Sequence, residues 1–347
     1  MNPITVRKFK LLGEFCFITA FAGIVYQLLR YGHVNHNALI MGGGLGFGFG
    51  IIELFILSGF RKKFSQLPFF ATIFLKALIY FIIINIVSGV LGFIIGYLQG
   101  RQIEEFFIHM LHKNQLILVI YTLIVYVLLS FYIQINLLLG EGVLLKFLLG
   151  RYRKPTGEHR IFMFLDIKSS TTLAEKLGLE RYYSFLNDFF HEISEPTRIT
   201  NAEIYQYVGD EVVFTWKTNE GLSNSNCLRI FYEIRENVNR NKKYYIDKYG
   251  GVPDFKAGLH YGKVISAQIG DIKREIVYNG DVLNTSARIQ EQCNIFDREL
   301  LISGKLLNRL DIKEEYLAEK IDTVRLRGKI SSIELYSLVK FKKQNST

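Results

Sequence analysis

The chain has 347 residues, of which 49% are apolar and 14% aromatic, with a formal net charge of +10. This length allows about two domains, and Cys16, Cys227 and Cys293 are too scattered for a disulfide framework or a zinc site. The basic residues cluster beside apolar segments, which points to topology signals and anionic lipid headgroups rather than to nucleic acid.

Long apolar runs dominate up to about residue 140, and from about 155 onward the charge density is that of a soluble domain. Four segments, residues 11–29, 38–60, 69–98 and 116–139, are long enough to cross about 30 Å of hydrocarbon, which predicts a four-helix transmembrane domain over 1–139. The first segment carries Glu14 and Gln27, lacks a small-residue cleavage site and precedes three more spans, so it reads as an uncleaved anchor. Arg7, Lys8 and Lys10, then Arg61, Lys62 and Lys63, then Lys146, Arg151, Arg153 and Lys154 fall on one side of these spans. The other side holds only Arg30, Arg101 and Lys113. The richer side is expected to be cytoplasmic, placing a multi-pass protein in the inner (plasma) membrane with both termini and the soluble half in the cytoplasm.

Two charges fall inside this apolar half. Glu53 and Lys76 lie at similar depth in the second and third spans and are expected to pair, because an unpaired charge there is costly. Gly42, Gly46 and Gly50 line one helix face and suit close helix packing, with a re-entrant loop as the alternative. The outer loops carry His33, His36, His109 and His112; they read either as a metal or proton sensor or as solvated interface histidines. Residues 140–158 form a juxtamembrane linker. Its first part is expected to continue an apolar helix out of the last span, until Pro155 and Gly157 break it.

The second half begins with Ile161–Leu165, a continuous apolar run that reads as a buried strand ending at Asp166. Ser169, Ser170 and Thr171 then enter a helical pattern. A carboxylate at a strand end suits a hard divalent cation, and a helix N-terminus offers free N–H groups to phosphate oxygens. Residues 204–216 read as a hairpin turning at Gly209-Asp210, with Asp210 at a solvent-exposed tip. Residues 254–265 read as a second strand pair turning at Gly262. After Asn279-Gly280-Asp281 comes a helix on which Asn284 and Arg288 share a face.

Together FLDIKSST around Asp166, YVGDEVV around Asp210 and NGDVLNTSAR around Asn284 and Arg288 resemble the catalytic domain of class III adenylate/guanylate cyclases. The resemblance covers about residues 155–340 and includes bacterial membrane-anchored members of the family. It implies an α+β, ferredoxin-like βαββαβ catalytic domain over 159–340, a tail at 341–347, and a head-to-tail homodimer with shared active sites. It further implies two Mg²⁺ or Mn²⁺ ions per site held by Asp166, Asp210 and the Ile167 carbonyl. Asn284 would orient the ribose and Arg288 would stabilise the reacting phosphate, both from the opposite subunit. Arg327 or Lys329 falls where the family places a triphosphate-binding base, and the choice between them stays open.

The match departs at the two base-reading positions. Gln206 stands where the family has Lys, and Val277 where it has Asp or Thr. An amide pairs with an adenine edge, and neither position offers the carboxylate of a guanine reader, so ATP is the favoured substrate and cyclic AMP the expected product. GTP, a pyrimidine triphosphate and a catalytically silent receptor or scaffold are the alternatives. A diguanylate cyclase is disfavoured, because its Gly-Gly-Asp-Glu-Phe signature is replaced by Val208-Gly209-Asp210-Glu211-Val212.

Overall fold

A computed structural model describes residues 3–34, 37–60, 64, 67–98, 113–140, 143–151, 153–312, 315–327 and 331–341. The chain divides into two compact units, Met1–Leu144 and Leu145–Thr347.

The first unit is helical: α1 (Pro3–Tyr31), α2 (Asn37–Ile51), α3 (Phe69–Leu98) and α4 (Lys113–Leu139). Three stretches, Lys8–Tyr31, Gly42–Phe60 and Ile117–Leu139, are long and apolar enough to cross a membrane. The fourth apolar helix, α3, runs for 30 residues. Their side chains are apolar around most of the circumference, as lipid-facing helices require.

The glycine ladder packs α2 onto α1 as a continuous helix, which removes the re-entrant alternative. A Cβ at Gly42 would stand 2.5 Å from the Thr19 carbonyl oxygen, and one at Gly46 would stand 2.7 Å from the Cys16 Cα. Only a residue without a side chain lets the two backbones approach this closely.

Beyond Ile51 this helix widens into a π-helical turn, Ile52–Ile56, and then tightens into a 3₁₀ turn, Leu57–Phe60. The expected pair forms between Glu53 of that turn and Lys76 of α3, with Nζ 2.8 Å from Oε1. The Tyr80 hydroxyl donates to the other Glu53 oxygen.

Helix α4 ends at Leu139, where Gly140 takes a left-handed φ of +93°, so the linker does not continue the last span as one helix. A short helix, α5 (Val143–Leu148), follows. Gly157, expected to break a helix, lies instead in the first strand.

The second unit is built on β1 (Thr156–Ile167), α6 (Ser170–Leu177), α7 (Leu179–Ile199), β2 (Glu203–Val208), β3 (Glu211–Lys217), α8 (Thr218–Leu222), α9 (Asn226–Arg240), α10 (Lys242–Tyr249) and β4 (Phe255–Ile269). Strands β2, β3, β1 and β4 are neighbours in that order and antiparallel throughout, which is the ferredoxin-like βαββαβ arrangement. The sheet is extended by β5 (Glu275–Asn279), which pairs with β4, and by β6 (Leu300–Ser303), which runs parallel to β4. Between them lies α11 (Asp281–Ile295); α12 (Gly304–Leu307), β7 (Tyr316–Val324) and β8 (Ile333–Lys340) complete the unit.

Alternation along β1 separates two cores. Ile161, Met163, Leu165 and Ile167 bury against α7, α9 and α10. Phe162 and Phe164 face the other side, with Val282 of α11 and Tyr278 of β5.

The strand pair expected to turn at Gly262 is one uninterrupted strand, β4. Gly262 serves packing rather than turning, since a Cβ there would lie 2.5 Å from the Val282 methyl of α11.

Candidate active site

Asp166 is the next even residue of β1 after Phe162 and Phe164, so it emerges on the α11 face of the sheet. Its cross-strand neighbour in β4 is Lys256. The Lys256 ammonium stands 3.3 Å from Asp166 Oδ2 and donates to Asn294 Oδ1 at 2.8 Å. Gln290 Nε2 donates to the same Asp166 oxygen at 3.0 Å.

On the other flank, the β1–β3 register ends at Leu165–Val212, and the next residue of each strand is Asp166 and Glu211. Asp210 precedes Glu211 at a turn made possible by Gly209, whose φ of +63° lies in the left-handed region. Asp210 is half-buried rather than fully solvated as expected, and its Oδ2 is buried without a hydrogen-bond partner. The register explains the difference, because it sets the Asp210 turn beside the end of β1, where Asp166 emerges.

The carboxylates act on one another. Burial, then the charge of Asp210, pushes the Asp166 carboxyl above its ordinary value, and Lys256 pulls it partly back. Burial, then repulsion from Asp166, Asp210 and Glu291, pushes Glu211 up to about 7. Among the described residues no three His, Cys, Asp or Glu side chains form a metal cage. The donor set is instead a carboxylate pair, mutually repelling and with an orphaned oxygen, and a divalent cation would relieve both conditions.

Ser169 lies directly beyond this pair, with a left-handed φ of +54° and no side-chain cap on α6. The first N–H groups of α6, at Ser170 and Thr171, therefore start beside the carboxylates without a capping oxygen. Ile167 ends β1 with its side chain buried in the main core.

Asn284 is exposed and Arg288 half-buried on α11. No hydrogen bond or ion pair among the described residues joins either of them to Asp166 or Asp210. Gln206 is exposed on β2 and Val277 half-buried on β5. Their neighbours Tyr205 and Tyr278 meet with ring centroids 5.2 Å apart, which draws the two strands together across the sheet face. A β-bulge between Ile204 and Gln206 sets the side on which the Gln206 amide emerges. Arg327 is exposed in the turn after β7. Lys329 lies outside the described residues, as do His36, His109 and His112. His33 is exposed, with Nδ1 2.9 Å from the Tyr31 carbonyl.

Residues 153–340 match the family described as the adenylate and guanylate cyclase catalytic domain. The chain belongs to that family. It is 31% identical over 285 residues to adenylate cyclase 2 of Rhizobium meliloti (strain 1021), covering 80% of this chain and 77% of that one. It is 22% identical over 180 residues to an adenylate cyclase of Anabaena cylindrica, covering 51% of this chain and 36% of that one. The crystal structure of the adenylyl cyclase CyaB from P. aeruginosa superposes with a TM-score of 0.47 at 16% identity, over 55% of this chain and 98% of that one.

As a class III cyclase the chain is a phosphorus–oxygen lyase carrying a cyclase domain behind a set of long apolar helices. Sequence reasoning missed Lys256, Gln290 and Asn294. Their spacing carries no signal; only the β1–β4 register and the seat of α11 bring them to Asp166. Glu211 was visible as the third letter of Gly-Asp-Glu, but its approach to Asp166 again depends on register.

Proposed function

We propose that this cyclase is a membrane-anchored adenylate cyclase that converts ATP to 3′,5′-cyclic AMP and pyrophosphate through two shared sites in a homodimer. The observation that carries the reading is the division of labour within one chain. Asp166 and Asp210 interact and Asp210 Oδ2 is buried without a partner, while among the described residues no bond joins Asn284 or Arg288 of α11 to that pair. A second copy supplying its own Asn284 and Arg288 completes the set. The match to adenylate cyclase 2 of R. meliloti extends beyond the 153–340 segment into the apolar half, which supports the same two-part design.

In this reading Asp166, Asp210 and the Ile167 carbonyl hold two Mg²⁺ or Mn²⁺ ions, a set of hard oxygen donors suited to them. Bound there, such a pair supplies activation of the ribose 3′-hydroxyl and neutralises charge on the triphosphate. The start of α6, at Ser169, Ser170 and Thr171, offers N–H groups to phosphate oxygens. Arg288 meets the charge that develops at the α-phosphate, Asn284 orients the ribose, and Arg327 or Lys329 binds the triphosphate tail. Gln206 presents an amide to the base, and Val277 gives it an apolar wall. Leu179 and Tyr183 on α7, 84% and 75% exposed, add apolar surface of the kind that a second copy covers.

The four helices cross the membrane with both termini cytoplasmic, and residues 140–158 link them to the catalytic domain. The test is incubation of the purified protein with Mn²⁺ and each of the four nucleoside triphosphates. ATP is expected to give cyclic AMP fastest, and Asp166→Ala or Asp210→Ala to abolish it. Preferred turnover of GTP would overturn the base assignment, and no product from any triphosphate would leave a silent receptor.

A further inference from the structure

Helix α11 is seated on β4 at Gly258, where a Cβ would stand 2.2 Å from the Gln290 nitrogen and 2.7 Å from the Ser286 carbonyl oxygen. No other residue type allows this approach, and it fixes the height of the helix above the sheet. Gln290, 5% exposed, and Asn294 one turn later then point at β1 and β4. Gln290 donates to Asp166 Oδ2, and Asn294 holds Lys256, itself 7% exposed, beside the same oxygen. One oxygen of Asp166, Oδ2, is thus committed to two buried donors.

Asn284 and Arg288 form another i, i+4 pair on the same helix, six residues earlier. At 3.6 residues per turn, six residues are a rotation of about 240° beyond a full turn, so the two pairs occupy different faces.

We infer that Gln290, and Asn294 acting through Lys256, are positioning residues that lock the Asp166 carboxylate for a divalent cation, so that α11 serves its own protomer's metal site with one face and its partner's site with the other. The inference rests on the function proposed above. Gln290 holds the carboxylate in one rotamer. Lys256, held in place by Asn294, offsets the repulsion from Asp210 and Glu211 while meeting the same oxygen as Gln290. Groups that orient a metal ligand in this way typically change metal affinity by about 10- to 100-fold when removed.

The experiment uses the full-length protein in detergent, stripped of metal, with Mn²⁺ as the probe and free Mn²⁺ followed by electron paramagnetic resonance. Gln290→Met, close in volume but without a donor, is expected to bind Mn²⁺ about 10- to 100-fold more weakly. Its KM for Mn²⁺ should rise by a similar factor, with kcat at saturating Mn²⁺ within a few-fold of the parent. Asn294→Ala should move in the same direction. Asn294 is exposed, so this variant carries the test alone if Gln290→Met does not fold.

Mixed dimers add a readout that a generally weakened helix would not give. At Mn²⁺ concentrations well below the KM of the variant, Gln290→Met paired with Arg288→Ala should regain activity, because one composite site stays intact, whereas Gln290→Met paired with Asp166→Asn should not. Parental Mn²⁺ affinity in a folded variant, or rescue by the Asp166 partner instead of the Arg288 partner, overturns the inference. Failure of the parent protein itself to bind Mn²⁺ or cyclise ATP would instead refute the proposed function.

Discussion

Glu211 sits at a point where three negative charges and partial burial meet, and its carboxyl is raised from 4.5 to about 7. Asp166 is raised in the same direction. An acid whose folded value lies above its unfolded value binds more protons in the folded state between those two values, so stability falls as pH rises through that window. From this cluster alone, the metal-free protein is therefore expected to be most stable below about pH 4 and to lose stability progressively as pH rises to about 7. Added Mn²⁺ should restore more at pH 8 than at pH 5, since only the ionised carboxylates hold it well. Thermal unfolding in detergent with and without Mn²⁺ at the two pH values measures this, and an equal Mn²⁺ effect at both would remove the carboxylate cluster as the metal site. The motif residues Asp166 and Asp210 were legible because their local contexts, a strand end and a Gly-Asp turn, are written in adjacent letters. Lys256 was not, because it faces Asp166 only through the pairing of β1 with β4.

Single elements show how the same residue type does different work. Gly209 turns a hairpin with a left-handed φ, whereas Gly258 and Gly262 lie inside a strand and make room for α11. A reading based on turn propensity assigned Gly262 to a turn, since nothing nearby announces a helix passing within contact of it. The apolar half offers the reverse case, where Gly42, Gly46 and Gly50 were correctly expected to admit a neighbouring helix. Their four-residue period is a local pattern, and the partner α1 precedes them directly. Glu53 and Lys76 pair through a π-helical turn that no propensity indicated. Replacing Lys76 with Met leaves Glu53 buried against Tyr80 without its counter-charge, and breaking a buried pair in this way typically costs about 3–5 kcal/mol. Glu53→Gln combined with Lys76→Met should recover most of the loss. Denaturation of the detergent-solubilised variants checks it, and a Lys76→Met protein as stable as its parent would show that the pair contributes nothing to the bundle.

For the whole molecule, the proposed function splits the catalytic set between two copies of the chain, which would tie activity to assembly. The four apolar helices offer each protomer a second means of meeting its copy. Removing residues 1–139 is then expected to leave an enzyme whose specific activity climbs with protein concentration, while the full-length protein in one micelle is independent of it. Equal, concentration-independent activity in both would show that the membrane half plays no part in bringing the sites together.

Legible in the residues without any fold were the apolar character of the first part of the chain, the α+β nature of the rest, and the family its motifs belong to. Those features are written in local composition, in periodicity and in short runs of neighbouring residues. Only the folded arrangement shows that β4 runs straight through Gly262, that Lys256 faces Asp166, that one Asp210 oxygen is buried, and that Gln290 reaches the carboxylate from α11. Each of these depends on strand register or on the height of a helix above a sheet. Those are relations between residues far apart in the chain, set by how closely two backbones pack.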